Sequence, residues 1–241
     1  MAKAWVLASE YRTDTGNVRR HNEDACITRD SDGVWVVADG MGGHHAGDVA
    51  SNSIVDAIRD MRIDPDLPTL IDEIEEKILD VNRNLIEMAR AKRTTIGSTV
   101  VGIAHRGDHL VAFWAGDSRL YRIRGKKMEQ ITQDHDMIQD LVESSVCTLE
   151  EAKKHPQAER VTRAVGGAED LFLDMEVFEL QRKDLYILCS DGLYKELTDD
   201  EILEIIRGCK GVEEIPDALV EAALARRGRD NVTVVAVEVN T

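Results

Sequence analysis

Short apolar runs rich in Val, Ile and aromatic residues recur along the chain, each cut by Asp, Asn or Gly. They predict strands near 4–11, 24–29, 34–38, 98–105, 109–115, 119–124, 128–131, 174–180, 184–190 and 231–239. Asp32-Gly33 in "RDSDGVWVV" supplies a hairpin turn, and "HRGDHL" and "RIRGKKM" predict two more hairpins. Strands joined this closely form antiparallel sheets rather than a parallel βαβ sheet.

A different period separates them. Ala50, Ile54, Ala57, Ile58 and Met61 make one apolar stripe over 48–61, and Ile71, Ile74, Ile78, Leu85 and Met88 make another over 69–91. "TLEE" (Thr148 to Glu151) and "TDDE" (Thr198 to Glu201) match the capping box that opens a helix, and a last helix over 213–226 stops at Gly228. The helices show one apolar face, whereas several strands are apolar on both. Such strands need cover on each side, so two packed sheets with helices outside fit the pattern, an α+β arrangement. No linker, low-complexity stretch or solenoid repeat interrupts it, which predicts one domain over 1–241. The polar segment 136–168 reads as an insertion or flap.

Three apolar runs meet a carboxylate at their tips: Asp39 in "VWVVADGMGG", Asp191 in "LYILCSDG", and Asp230 ahead of "NVTVVAVEV". A single Asp-Gly is more often a turn than a ligand site, and Asp32-Gly33 is read as a turn. Partly desolvated charge at the end of a core strand is costly, however, and several such tips at one sheet end repel one another. A cluster of that kind persists when some groups hold protons or cations neutralise them. Oxygen-only donors favour Mg²⁺ or Mn²⁺. Gly40 would let a backbone carbonyl approach such an ion. Glu23 and Asp24 in "RRHNEDA" and Asp117 in "WAGDSRLYRI" are further acidic candidates, each equally readable as a solvated turn. Arg19 or Arg20 could grip two phosphate oxygens. His44 and His45 in "GMGGHHAGD" could be surface residues, metal ligands or a general acid.

Composition narrows the classes. No apolar run is long enough to span a membrane, and "MAKAWVLASEYR" reads as a first strand rather than a secretory leader, so a soluble cytoplasmic protein is expected. Cys26, Cys147, Cys189 and Cys209 lack paired spacing, which argues against a zinc site or disulfide framework. A net charge of −16 argues against nucleic acid or an anionic membrane as the main partner, and with the absence of a basic stripe or stacking aromatics it counts against a nuclease reading of the same acidic cluster.

Taken in order, "RRHNEDA", "VVADGMGGHHAGDVAS", "TTIGSTVVG", "FWAGDSRLYRI", "ITQDHD", "TRAVGG", "LCSDGLYKELTDDEI" and "RDNVTVV" resemble the metal-dependent Ser/Thr protein phosphatases of type 2C, most closely the bacterial single-domain branch. The resemblance runs from about residue 10 to 239, and the ordered set is far more specific than any one block. It implies a four-layer αββα sandwich whose metals sit where strand ends meet. Asp39 would bridge two Mn²⁺ or Mg²⁺ ions, with Gly40 a carbonyl ligand of one. Asp191 and Asp230 would bind the second, Glu23 would bind directly or through water, and Asp24 would stand behind it. Asp117 would share with Asp191 a third ion seen in bacterial members. Arg19 would hold the phosphate, and His44 would protonate the leaving group. A water between the two ions would attack phosphorus. The implied substrates are phosphoserine and phosphothreonine proteins, those of a partner kinase and the kinase itself, with a monomer as the default state. A catalytically inert regulatory module on the same fold is the alternative, weakened because every ligand position keeps its carboxylate. Ser145 and Val146 depart from the family where relatives often carry glycine before the capped helix.

Overall fold

A computed structural model describes residues 5–42, 46–158 and 160–240. In chain order the elements are β1 (Val6–Asp14), β2 (Asp24–Arg29), β3 (Val34–Gly42), α1 (Ala46–Asp60), α2 (Leu67–Lys92), β4 (Ile96–Ser98), β5 (Val100–Arg106), β6 (His109–Ala115) and β7 (Arg119–Arg124). There follow β8 (Lys127–Gln130), α3 (Met137–Glu143), α4 (Leu149–Ala152), β9 (Asp174–Glu179), β10 (Leu185–Cys189), α5 (Asp191–Tyr194), α6 (Asp199–Gly208), α7 (Ile215–Arg226) and β11 (Val232–Asn240). One antiparallel sheet runs β1-β11-β10-β7-β8 and the other β2-β3-β5-β6-β9, with β4 paired to the far end of β3.

Alternation along β3 shows why both faces of a strand are apolar here. Val34, Val36 and Ala38 pack towards Ile54 and Ile58 of α1 and Ile74 and Ile78 of α2. Trp35 and Val37 point the other way, into an inter-sheet layer with Val101, Ile103, Tyr186, Leu188 and Val237. The first sheet repeats the device: Val235 and Val237 face the other sheet, while Val234, Ala236 and Ile187 face Ile202 of α6 and Leu219 and Val220 of α7. Helix, sheet, sheet and helix therefore stack as four layers with three apolar cores, the αββα sandwich.

The departures from the predicted elements are local. Asp30–Asp32 forms a 3₁₀ turn closed by Gly33 at φ 59°, so the β2–β3 hairpin is wider than a two-residue turn. β4 is split from β5 at Thr99, whose N–H donates to the Asp39 carbonyl at 2.9 Å instead of continuing the strand. α3 and α5, too short to show a period, were not foreseen. α3 starts because Asp136 caps it, accepting from the Gln139 N–H at 2.7 Å. The segment read as a flap holds α3 and α4, and isolated bridges Asp136↔Val161 and Ser98↔Val165 tie its ends down. The capping boxes at Thr148 and Thr198 form as read, each residue's N–H donating to the carboxylate three residues on at 2.9 Å. Among the described residues, no helix is long and apolar enough to cross a membrane.

Ser145, at φ 55°, occupies the left-handed region that favours glycine. That conformation costs an L-residue roughly 1–2 kcal/mol, of which glycine would return about 0.5–1 kcal/mol as chain entropy. Ser145→Gly is therefore expected to slow hydrogen exchange of the flap amides and Ser145→Val to speed it. Equal exchange in both would contradict the strain. Trp35 is fully buried between the sheets and donates its Nε1–H to Asp30 at 2.8 Å. Trp35→Ala should cost about 3–5 kcal/mol in denaturant unfolding.

Candidate active site

β3 and β10 carry the chain out to one edge of the sandwich, and β2 and β11 carry it back in from that edge. Asp39 lies directly opposite Asp24 across β3 and β2. Asp191 begins α5 just past β10, Asp230 precedes β11, and Asp117 sits in the β6–β7 turn. The result is a cleft of about 220 Å³ lined by Arg19, Glu23, Asp39, Gly40, Asp117, Asp191 and Asp230. All five acidic candidates that the sequence offered as direct ligands thus reach one place.

The backbone around them is pinned. Asp39 donates its N–H to Thr99 Oγ1 at 3.2 Å, and its carbonyl accepts from the Thr99 N–H at 2.9 Å and from Ser98 Oγ at 3.0 Å. Gly40 donates to the Glu23 carbonyl at 3.1 Å. A Cβ on Gly40 would lie 2.1 Å from the Gly47 carbonyl oxygen and 2.5 Å from that of Glu23, so only hydrogen fits there. Glu23 Oε1 accepts the Gly47 N–H at 3.3 Å at the start of α1, where helix-end N–H groups favour a carboxylate.

Asn231 organises the far wall. Its Nδ2 donates to the Thr15 and His21 carbonyls, both at 2.9 Å, and its Oδ1 accepts the Glu23 N–H at 2.8 Å. Those bonds hold the β1–β2 loop against Asp230, and within that loop Arg19 Nη2 reaches Asp230 Oδ2 at 2.6 Å. Arg19, rather than Arg20, lines the cleft. His44, the general acid implied by the resemblance, lies with Gly43 and His45 outside the described residues. Thr99 and Asn231 escaped the search for chemistry because neither ionises, although each sits inside a block that carried the resemblance.

Electrostatics follow from burial first and crowding second. Asp24 is buried, and its Oδ2 accepts from Ser190 Oγ and Thr233 Oγ1, both at 2.7 Å, while its Oδ1 has no partner among the described residues. Burial, with Asp191 and Asp230 adding repulsion against those hydroxyl bonds, pushes its carboxyl up to about 7. Asp39 is raised well above the usual carboxylate range by burial and then by Asp24, Asp191, Asp117 and Asp230. Asp117 rises to about 6 through burial and Asp191, against the opposing pull of Lys195.

No three His, Cys, Asp or Glu side chains close into a ready metal cage among the described residues. Arg19 and Lys195 instead take outer oxygens of Asp230 and Asp191. The donor set nevertheless suits a hard dication: every donor is oxygen, and Asp39 accepts no hydrogen bond on its carboxylate from the described residues.

The family model for protein phosphatase 2C matches residues 17–208. The chain belongs to that family. This phosphatase 2C chain is 33% identical over 241 residues to the serine/threonine phosphatase stp of Listeria monocytogenes, covering 96% of each. Among solved structures it is similar to PppA of Pseudomonas aeruginosa, described as a key regulatory component of T6SS, at TM-score 0.90 and 36% identity, covering 98% of this chain and 100% of that one. It is also similar to the catalytic domain of the phosphatase PstP in complex with two manganese ions, at TM-score 0.86 and 32% identity, covering 99% of this chain and 100% of that one.

In the metal-free protein the folded chain retains protons at Asp24 and Asp117 that an unfolded chain, with carboxyls near 3.9, has released. The stability these two groups contribute should therefore be full below about pH 4 and be lost as pH rises towards about 7. Asp24→Asn should flatten that slope, and saturating Mn²⁺ should abolish it. Denaturant midpoints across this range provide the check, and stability that climbs with pH in the metal-free protein would refute the account of buried, crowded carboxyls.

Proposed function

We propose that this chain is a metal-dependent phosphatase that hydrolyses phosphoserine and phosphothreonine in proteins. The observation that carries the reading is the convergence of five carboxylates at shared strand ends around a pinned Asp39. Asp39, the Gly40 carbonyl, Glu23, Asp191 and Asp230 would hold a pair of Mn²⁺ or Mg²⁺ ions, with Asp24 behind them fixing Ser190 and Thr233. Asp117 stands on the flank beside Asp191. When bound, such a pair supplies Lewis-acid charge and acidifies a water to near-neutral pKa.

The side chains divide the remaining work. Arg19 sits at the cleft rim with its guanidinium on Asp230, and turning it onto a phosphoryl group places two N–H donors on phosphate oxygens. That grip orients phosphorus for in-line attack and offsets charge that grows on the equatorial oxygens. His44 would give a proton to the serine or threonine oxygen as it leaves. The retained carboxylates favour catalysis over an inert module of the same fold. We further place the chain in the cytoplasm as a single catalytic domain and a monomer, opposing a Ser/Thr kinase and acting on that kinase and its targets.

Phosphate release from a phosphothreonine peptide tests the reading. Asp39→Asn and Asp191→Asn should each lower the rate by at least about a hundredfold while the circular dichroism stays native. EDTA should abolish release, and Mn²⁺ should restore it. Undiminished turnover in EDTA, or in either folded variant, would end the proposal.

A further inference from the structure

The flank of the cleft beside Asp117 already contains a cation. One turn of α5 returns Lys195 over Asp191, an i,i+4 pair with the acid N-terminal, which is the favourable order. Lys195 Nζ lies 2.5 Å from Asp191 Oδ2 and 3.9 Å from Asp117 Oδ2. Both carboxylates are largely withdrawn from solvent, at 14% and 7% side-chain exposure, so the ammonium is screened little from either.

The arrangement is built rather than incidental. Tyr194 donates its hydroxyl to the Asp117 carbonyl at 2.9 Å and stands 3.2 Å from the same Oδ2 that faces Lys195. Arg119 lies over the Tyr194 ring at 3.6 Å and is clamped in turn by Asp134, with contacts of 2.7 and 3.0 Å. Beneath, Leu193 is buried, and Gly192 sits so close to β11 that a Cβ would meet the Asn231 carbonyl oxygen at 2.0 Å. Position 195 therefore has little freedom to back away.

A dication shared by Asp117 and Asp191 needs oxygen ligands at about 2.0–2.2 Å, which is the space the ammonium fills. Placing an ion next to it would also set like charges within a few ångströms. We infer that Lys195 is an internal counter-ion which takes the place of a third metal between Asp117 and Asp191 and limits this chain to two ions. The inference rests on the metal-holding reading of the cleft and concerns only its flank.

Calorimetric titration with Mn²⁺, paired with electron paramagnetic resonance counts of bound ion, tests it on wild type and Lys195→Met, which keeps a similar stem and removes the charge. Wild type should bind two ions, and Lys195→Met a third, at least about tenfold more tightly than any third event in wild type. Asp117→Asn in the wild-type background should leave both ions in place, which keeps the question decidable if Lys195→Met does not fold. Three ions in wild type at comparable affinity, no third in folded Lys195→Met, or loss of an ion in Asp117→Asn would each overturn the assignment. Two ions in every protein would overturn it while leaving the metal site itself intact. No Mn²⁺ bound by any of them would remove the two-ion reading as well.

Discussion

Repulsion among carboxylates gathered at partly desolvated strand ends is the constraint on which the rest of this structure turns. Left alone, such charges would splay or take up protons; burial first and the neighbouring carboxylates second raise Asp24, Asp39 and Asp117. The fold opposes splaying with stiffness. Three apolar cores lock both sheets, so the tips of β3 and β10 and the start of β11 cannot drift apart without disturbing packing that runs the length of the sandwich. Backbone hydrogen bonds through Ser98, Thr99 and Asn231 then fix the last residues, leaving carboxylates to answer the repulsion with protons, cations or ions.

Two neutral side chains hold position beside the carboxylates. The Asn231 side chain makes three hydrogen bonds with described residues, and Thr99 sits between Asp39 and Ser118 Oγ, 2.7 Å away, without adding charge to a site that has too much. The cations answer different acids. Arg19 faces Asp230 on a flexible stem at the rim, where it can exchange one anion for another, and its side chain is 53% exposed. Lys195, at 32% exposure, faces Asp191 and Asp117, and the Tyr194 hydroxyl reaches the second of these as well.

A chain of net charge −16 acting on a phosphorylated, anionic protein gains little from long-range attraction. Recognition has to be local, through Arg19 and the ions that the cleft suits. The flap contributes Val161 to the lining of that cleft, and the strained Ser145 lies at the bend between its two helices.

Much of this was legible in the residues. The strand at Val34–Ala38 reads as buried on both faces because its apolar run does not alternate, and the stripes of Ile54 and Ile74 announce their helices by period alone. Asp39, Asp191 and Asp230 betray themselves because a carboxylate at the end of a core strand contradicts ordinary burial. α5 and the wide β2–β3 turn were not legible, since a single turn of helix has no period and the 3₁₀ geometry comes from what packs around it. Nor could any spacing show that Lys195 lies between two acids 78 and 4 positions away in the chain, or that Asn231 ties the loop bearing Arg19. The order of apolar and polar residues along the chain determines which segments are strands, which are helices and which tips carry charge, because those are local matters of period and burial. Which charges become neighbours, and which are neutralised from within, was decided only by tertiary structure, because Coulomb's law acts through space and the chain alone does not contain those distances.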